Sequence, residues 1–420
     1  MRRGLLIGGG ALAAVLAAAA LWLAWPDLLE SGEIEPAPVD TSPEQIARGE
    51  YLARAGNCIG CHTRRDGEPY AGGRAIRTPF GNVFSTNLTP DEETGLGTWT
   101  SADFWRAMHH GRSKDGRRLY PAFPYTSYTH VTREDSDAIF AFLKSLPPVR
   151  SPRIEPDLRF PYNLPLALAV WRALFFEPGG LEPDPSRSEQ WNRGAYLVEG
   201  LAHCKACHSP RGRLGAIDSE QAYGGGEIPG LGWEAPPLHG GMSDGEAKDL
   251  AVLLSTGVSR RTAVTGPMAE VVFHSLQYLS ERDIDAIVDY VQSLPARSRA
   301  PVRGPVLAPG RMQNRMLAGA RLYAEHCADC HGTNGEGEPY VYPPLAGNAL
   351  VTSPSPTNAI RNVLLGGYPP STAGNPRPHG MPPFAHSLTA AEAAAVLTYV
   401  RNAWGNAAGP VTPEQINRRD

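Results

Sequence analysis

All six cysteines of this 420-residue chain fall in three copies of one pattern: Cys58-Ile-Gly-Cys61-His62, Cys204-Lys-Ala-Cys207-His208 and Cys327-Ala-Asp-Cys330-His331. C-x-x-C-H is an attachment sequence for c-type haem, in which both thiols bond the porphyrin edge and the adjacent histidine supplies an axial nitrogen. Two other readings compete with this one. A structural zinc site wants four ligands, usually from two C-x-x-C pairs at short range, whereas these pairs stand 146 and 123 residues apart. A thioredoxin-like redox pair follows a strand at a helix start and does not recur three times. The pattern therefore implies three covalently bound haem c groups, with Cys58, Cys61, Cys204, Cys207, Cys327 and Cys330 as attachment residues and His62, His208 and His331 as iron ligands.

Such a chain folds around its cofactors. Its 45 glycines and 40 prolines make up about a fifth of the residues and are dispersed through ordinary sequence, which suits long loops wrapped on a large apolar group. Length points to about three domains. A net charge of -4 gives no basis for nucleic acid as a partner.

A threefold repeat organises the chain. Short helical lead-ins, Arg48 to Leu52, Arg193 to Leu197 and Ala318 to Tyr323, each carry a glycine 9, 10 and 8 residues before the first cysteine. Glycine costs a helix up to about 1 kcal/mol, so its recurrence predicts a close helix contact. Each repeat ends in a helix opened by a capping-box pattern: Thr132 with Asp135, Ser280 with Asp283, Thr389 with Glu392. Phe142, Tyr290 and Tyr399 hold one common place in those helices. A first helix crossing a last helix, glycine against aromatic, resembles the cytochrome c fold. The expected class is mainly α, with three tandem cytochrome c domains joined by Pro/Gly-rich linkers.

The expected boundaries are 1–29 for a membrane anchor or signal, 43–149, 188–296 and 312–405 for the three domains, 150–187 and 297–311 for linkers, and 406–420 for a tail. Within the first linker, Phe160 to Phe176 is strongly apolar yet too short and interrupted to span a membrane. Packing between cytochrome domains and a docking surface are both open for it. Met1-Arg2-Arg3 precedes an uncharged run from Gly4 to Trp25. Those 22 residues make about 33 Å of helix, enough for a bilayer core of about 30 Å. A signal-peptidase site at Ala18 to Ala20 is the alternative to a retained anchor. Both place the haem domains outside the cytoplasm, on the periplasmic side of the inner membrane.

Low-spin electron-transfer haems usually add a methionine thioether opposite the histidine. Met268 lies 60 residues beyond His208 and Met381 lies 50 beyond His331, both in Gly/Pro-rich sequence ahead of the last helix of a repeat. In the first repeat a count of 61 from His62 reaches Phe123, which has no ligand atom. Met108, His109, His110 and His130 are the substitutes at hand, and a five-coordinate haem is another outcome. Met108 keeps the chemistry uniform.

The order of these segments resembles the triple-haem cytochrome c subunits of bacterial membrane-bound alcohol, gluconate and aldehyde dehydrogenases. The resemblance covers roughly residues 45 to 404. It rests on Leu119 to Tyr125, Arg193 to Val198 leading to His203 to Arg211, Gly266 to Val272 and Tyr342 to Asn348. It implies an electron-transfer subunit that is not itself an enzyme. The partner would be a catalytic dehydrogenase subunit (quinoprotein, flavoprotein or molybdenum hydroxylase), and electrons would pass to ubiquinone or a terminal oxidase. Phe123 departs from the many members with methionine there, and members with phenylalanine accompany molybdenum hydroxylases. The chain has no P-loop, Rossmann fingerprint or nucleophile elbow of its own. A free-standing periplasmic electron shuttle, or a haem peroxidase using an open first haem with a nearby histidine, are the rival functions.

Overall fold

A computed structural model describes residues 35, 38–296 and 306–417, so the expectation for Gly4 to Trp25 lies outside the described residues. Among the described residues no helix is long and apolar enough to cross a membrane. The chain groups into two units: Met1–Pro185 with Tyr196–Ala206 and Arg211–Ile217, and Ser186–Ala195 with Cys207–Pro210 and Asp218–Asp420.

In the first unit, α1 (Pro43–Ala55) starts on Ser42, whose hydroxyl accepts from the Gln45 amide, with proline in its first turn. After the one-turn α2 (Cys58–Cys61), strands β1 (Ala75–Thr78) and β2 (Gly81–Phe84) pair antiparallel. Helices α3 (Ser101–His110), α4 (Tyr125–Tyr128) and α5 (Arg133–Ser145) follow. The proline-rich stretch after α5 is built into this unit. Its β3 (Asp157–Leu158) adds to β2, and α6 (Pro165–Phe175) follows. Ile139, Phe140 and Leu143 of α5 are fully buried, as expected for the helix that carries the core face.

The second unit opens with α7 (Glu189–Ala195), which runs on in sequence to a π-helical stretch, Tyr196–Leu201, that belongs to the first unit. That wider turn absorbs the longer glycine-to-cysteine spacing of this repeat. Next come α8 (Lys205–His208), the hairpin β4 (Gly226–Ile228) and β5 (Trp233–Ala235), and helices α9 (Asp244–Thr256), α10 (Pro267–His274) and α11 (Glu281–Ser293). The last repeat has α12 (Pro309–His326), α13 (Ala328–His331), α14 (Thr357–Leu365), α15 (Ala390–Val400) and α16 (Pro413–Asn417). Its core joins Leu322 and Tyr323 of α12 to Leu397 and Val400 of α15.

The helix crossings repeat three times. A Cβ on Gly49 would lie 2.6 Å from the Ala138 carbonyl carbon and 2.8 Å from Phe142 Cβ. On Gly194 it would lie 2.7 Å from the Ala286 carbonyl carbon and 2.9 Å from Tyr290 Cβ. On Gly319 it would lie 2.8 Å from the Ala395 carbonyl carbon and 2.7 Å from Tyr399 Cβ. Helix backbones touch where a side chain is missing, and the aromatic packs beside the gap.

The capping pattern holds fully at only one of the three helices. Thr389 accepts from the Glu392 amide and Glu392 returns to the Thr389 amide at 2.9 Å. Thr132 and Ser280 each accept the amide three residues on, but the acids are diverted. Asp283 takes both arms of Arg193 at 2.9 and 2.7 Å, while Asp135 pairs with Arg48 and accepts from Tyr196 at 2.6 Å. Arg48 and Arg193 stand just before the crossing glycines, where the third repeat has Ala318. A charge-assisted bond outcompetes the local one wherever arginine is in reach.

Candidate cofactor sites

Each C-x-x-C-H segment closes a helical turn directly after the helix that carries the crossing glycine. At all three, the histidine ring meets a backbone carbonyl through Nδ1: His62 with Thr86 at 2.7 Å, His208 with Pro236 at 2.7 Å, His331 with Pro343 at 3.0 Å. A carbonyl oxygen only accepts, so Nδ1 carries the proton and Nε2 keeps its lone pair. This second bond fixes tautomer and ring orientation as metal-bound histidines require. Burial lowers the pKa of all three imidazoles, against the opposing pull of the carbonyls, which keeps Nε2 available.

The leading thiols of the first and third pairs differ from those of redox or zinc pairs. Burial, then the neighbouring Cys61 thiol, pushes Cys58 up to about 12; burial and Cys330 push Cys327 up to about 11. Reactive C-x-x-C cysteines and metal ligands are stabilised as thiolates, the opposite trend. Among the described residues no cluster of three or more His, Cys, Asp or Glu is placed to hold a metal ion. The donor set, an oriented imidazole directly after two thiols not tied in a disulfide, fits a covalently attached haem.

Two arginines brace the attachment turns, a role that sequence reasoning does not supply. Arg74 donates to the Gly60 carbonyl at 2.6 Å, and Arg211 to the Ala206 carbonyl at 2.7 Å. Gly60 and Ala206 both stand just ahead of the second cysteine. Only the proximity of Arg211 to its motif gives any signal.

Around the first attachment segment, the Tyr128 hydroxyl donates to the Gly56 carbonyl at 3.2 Å. Burial, then the nearby Cys58 and Cys61, hold that phenol well above its usual range. Phe123 packs on the Tyr128 ring at 5.3 Å, so the loop that carries it borders this segment. His203, directly before Cys204, packs against the same tyrosine at 5.6 Å.

The four substitute ligands lie apart from one another in role. Met108 is buried on the face of α3 that also buries Phe104 and Ala107. His109 stacks on Trp105 at 4.3 Å, its Nδ1 buried without a hydrogen-bond partner. Burial, then His130, lower it to about 4; burial, then His109 and the arginines Arg172, Arg106 and Arg112, lower His110 to about 4. His130 is engaged through Nδ1 with the Gly179 carbonyl at 3.1 Å.

In the second unit, Met268 is half-buried on the first turn of α10 rather than in a loop, with Pro267 opening the helix and Gly266 at φ 57° against the Trp233 ring. Proline at a helix start reads as a loop in sequence, which conceals the helix. Met381 lies in a loop held by two backbone bonds with Gly367, at 3.0 and 2.7 Å. Gly367 also packs on Thr265, so the segments bearing the two methionines abut.

A cytochrome c family model matches residues 46–147, 192–295 and 316–404. The chain is similar to the cytochrome c subunit of alcohol dehydrogenase (quinone) from Gluconacetobacter polyoxogenes, 36% identical over 398 residues, 90% of this chain and 85% of that protein. It is 39% identical over 390 residues to the gluconate 2-dehydrogenase cytochrome c subunit of Pantoea cypripedii, covering 86% of both. A nicotinate dehydrogenase subunit of Pseudomonas putida is 42% identical over 405 residues, 94% of this chain and 33% of that longer one.

Proposed function

The chain belongs to the cytochrome c family, with three such domains, and on that premise we propose that it is the electron-transfer subunit of a dehydrogenase complex. The observation that carries this reading is the threefold recurrence of one site: crossing glycine, C-x-x-C-H turn, and imidazole Nδ1 held on a carbonyl. When bound, each haem supplies a one-electron change at iron.

The chain's own residues do the rest. Cys58 and Cys61, Cys204 and Cys207, and Cys327 and Cys330 hold the three groups. His62, His208 and His331 would present Nε2 to the iron, and Met268 and Met381 would supply thioethers at the second and third sites, a pairing that raises the potential. At the first site Phe123 brings no ligand atom, and Met108, His109, His110 or His130 takes the place or leaves it open.

A separate catalytic subunit would oxidise the substrate, and this chain would carry its electrons onward to ubiquinone or a terminal oxidase. Gly4 to Trp25 holds the chain on the inner membrane with the haem domains in the periplasm. The identity to the nicotinate dehydrogenase relative, together with phenylalanine at 123, favours a molybdenum hydroxylase acting on an N-heterocycle or aldehyde over a quinoprotein alcohol dehydrogenase. Affinity purification of the tagged chain from native membranes tests the proposal. A stoichiometric large dehydrogenase subunit is expected; a chain that purifies alone and survives mild detergent without a partner is a free shuttle instead.

A further inference from the structure

Helix α6 is inside out. From Phe160 to Phe176 the one charged residue is Arg172, and it is 1% exposed. Its guanidinium donates to the His110 carbonyl at 2.8 Å and lies 5.2 and 4.7 Å from the Tyr125 and Phe176 rings. Apart from Ala169 and Phe176, which are buried with it, much of the apolar surface faces the other way. Phe160 is 78% exposed, Leu166 61%, Leu174 50%, and Leu164 and Phe175 about as much as Leu214 beside them. Trp171 ties this helix to Leu214 by donating to its carbonyl at 3.0 Å, so both leucine-bearing segments form one surface. A surface helix ordinarily buries its leucines and exposes its charge. A contiguous apolar face of this kind marks a contact with protein or lipid.

We infer that α6 lies in the plane of the membrane interface, as a second contact beside the N-terminal segment. The inference rests on the membrane attachment proposed above. Reach supports it: the Glu35 carbonyl accepts from Arg133, which also contacts Ser101 at the start of α3. Arg172 holds the opposite end of α3, at His110. A ten-residue helix is about 15 Å long, so α6 sits about that far from the point where the tether joins the unit. The ten residues from Trp25 to Glu35 span at most about 35 Å, which keeps this part of the first unit close to the bilayer. Composition favours lipid over a protein partner. Protein interfaces carry a polar rim and a hydrogen bond for about every 100–200 Å². The α6 face offers leucine and phenylalanine with Trp171 beside them, the side chains that an in-plane interfacial helix turns to lipid.

The test is spin-label depth measurement on the full chain in liposomes. Leu166→Cys and Leu174→Cys are labelled separately, with Glu155→Cys, an exposed site before the apolar run, as the aqueous control. Haem content confirms that each variant folds, and vesicle flotation reads attachment independently. The expected result is several-fold higher oxygen accessibility and lower aqueous nickel-chelate accessibility at 166 and 174 than at 155. Labels at 166 and 174 as exposed to nickel as the control, in protein that floats, overturn the helix contact and leave the anchor standing. Labels shielded from both reagents overturn it in favour of a protein-covered face. Protein that does not float overturns both readings together.

Discussion

Replacing Gly194 with alanine tests the helix crossing with a result whose sign is diagnostic. On an exposed helix the change stabilises, by roughly 0.5–1 kcal/mol, because alanine has the higher helix propensity. Here the added Cβ would lie 2.7 Å from the Ala286 carbonyl carbon and 2.9 Å from Tyr290 Cβ, where ordinary contact starts at 3.4 Å. The Ala286 carbonyl oxygen stands nearer still, so the helices must part by more than about 0.7 Å, and a close-packed interior transmits that strain. Overpacking of this kind costs about 1–3 kcal/mol. The obstruction is helix backbone, which cannot swing aside, so the upper half applies and a net loss of about 1–2 kcal/mol is expected. With a guanidinium slope of about 4 kcal/mol/M, the midpoint of this domain falls by about 0.3–0.5 M. The assay is a guanidinium titration followed by Soret circular dichroism, with Gly245→Ala as control, since nothing lies within 4 Å of a Cβ there. A stabilised Gly194→Ala variant refutes the crossing.

The other predictions concern the sites and the charges around them. Asp283→Asn removes the charge that accepts both arms of Arg193 and should destabilise the second domain by about 1.5–3 kcal/mol in the same titration, a loss that no effect would contradict. Met268→Ala and Met381→Ala should each remove part of the thioether-to-iron absorption at long wavelength; an unchanged spectrum in both sinks the ligand assignment. Phe123→Met should draw the electron paramagnetic resonance signal of the first haem toward the His/Met type, provided the Phe123 loop reaches the iron; three His/Met signals already present before the change, and surviving Met108→Ala, mean that the first repeat is misaligned. Burial holds His109 and His110 near 4, below their ordinary 6.5, so the unfolded chain binds more protons between those values. Stability should be complete above about pH 6.5 and fall progressively toward pH 4, and a double His109→Gln, His110→Gln variant should flatten that slope.

Much of the site was legible because its chemistry is written in short, contiguous motifs. The C-x-x-C-H turns and the pairing of Gly49, Gly194 and Gly319 with Phe142, Tyr290 and Tyr399 could be read from spacing, since one helix periodicity fixes which residues share a face. What escaped depends on partners far apart in the chain. Asp135 and Asp283 satisfy a local capping pattern, and only the arrival of Arg48 and Arg193 from another helix shows where their carboxylates go. Arg74 and Arg211 act through backbone carbonyls, which no residue pattern announces. The apolar run at Phe160 to Phe176 showed a need for burial, but not that Arg172 would take the inner face and the leucines the outer.

The central claim is that this chain carries electrons away from a separate dehydrogenase. Its most direct test is substrate-driven respiration in native membranes with and without the chain, using a panel of alcohols, aldehydes, gluconate and N-heteroaromatic carboxylates. The account predicts that one substrate class reduces the haems in the wild type. Loss of the chain should abolish oxygen uptake with that substrate while dye-linked oxidation by the catalytic subunit persists. Oxygen uptake that continues unchanged without the chain, or haems that no substrate of the panel reduces, would contradict it.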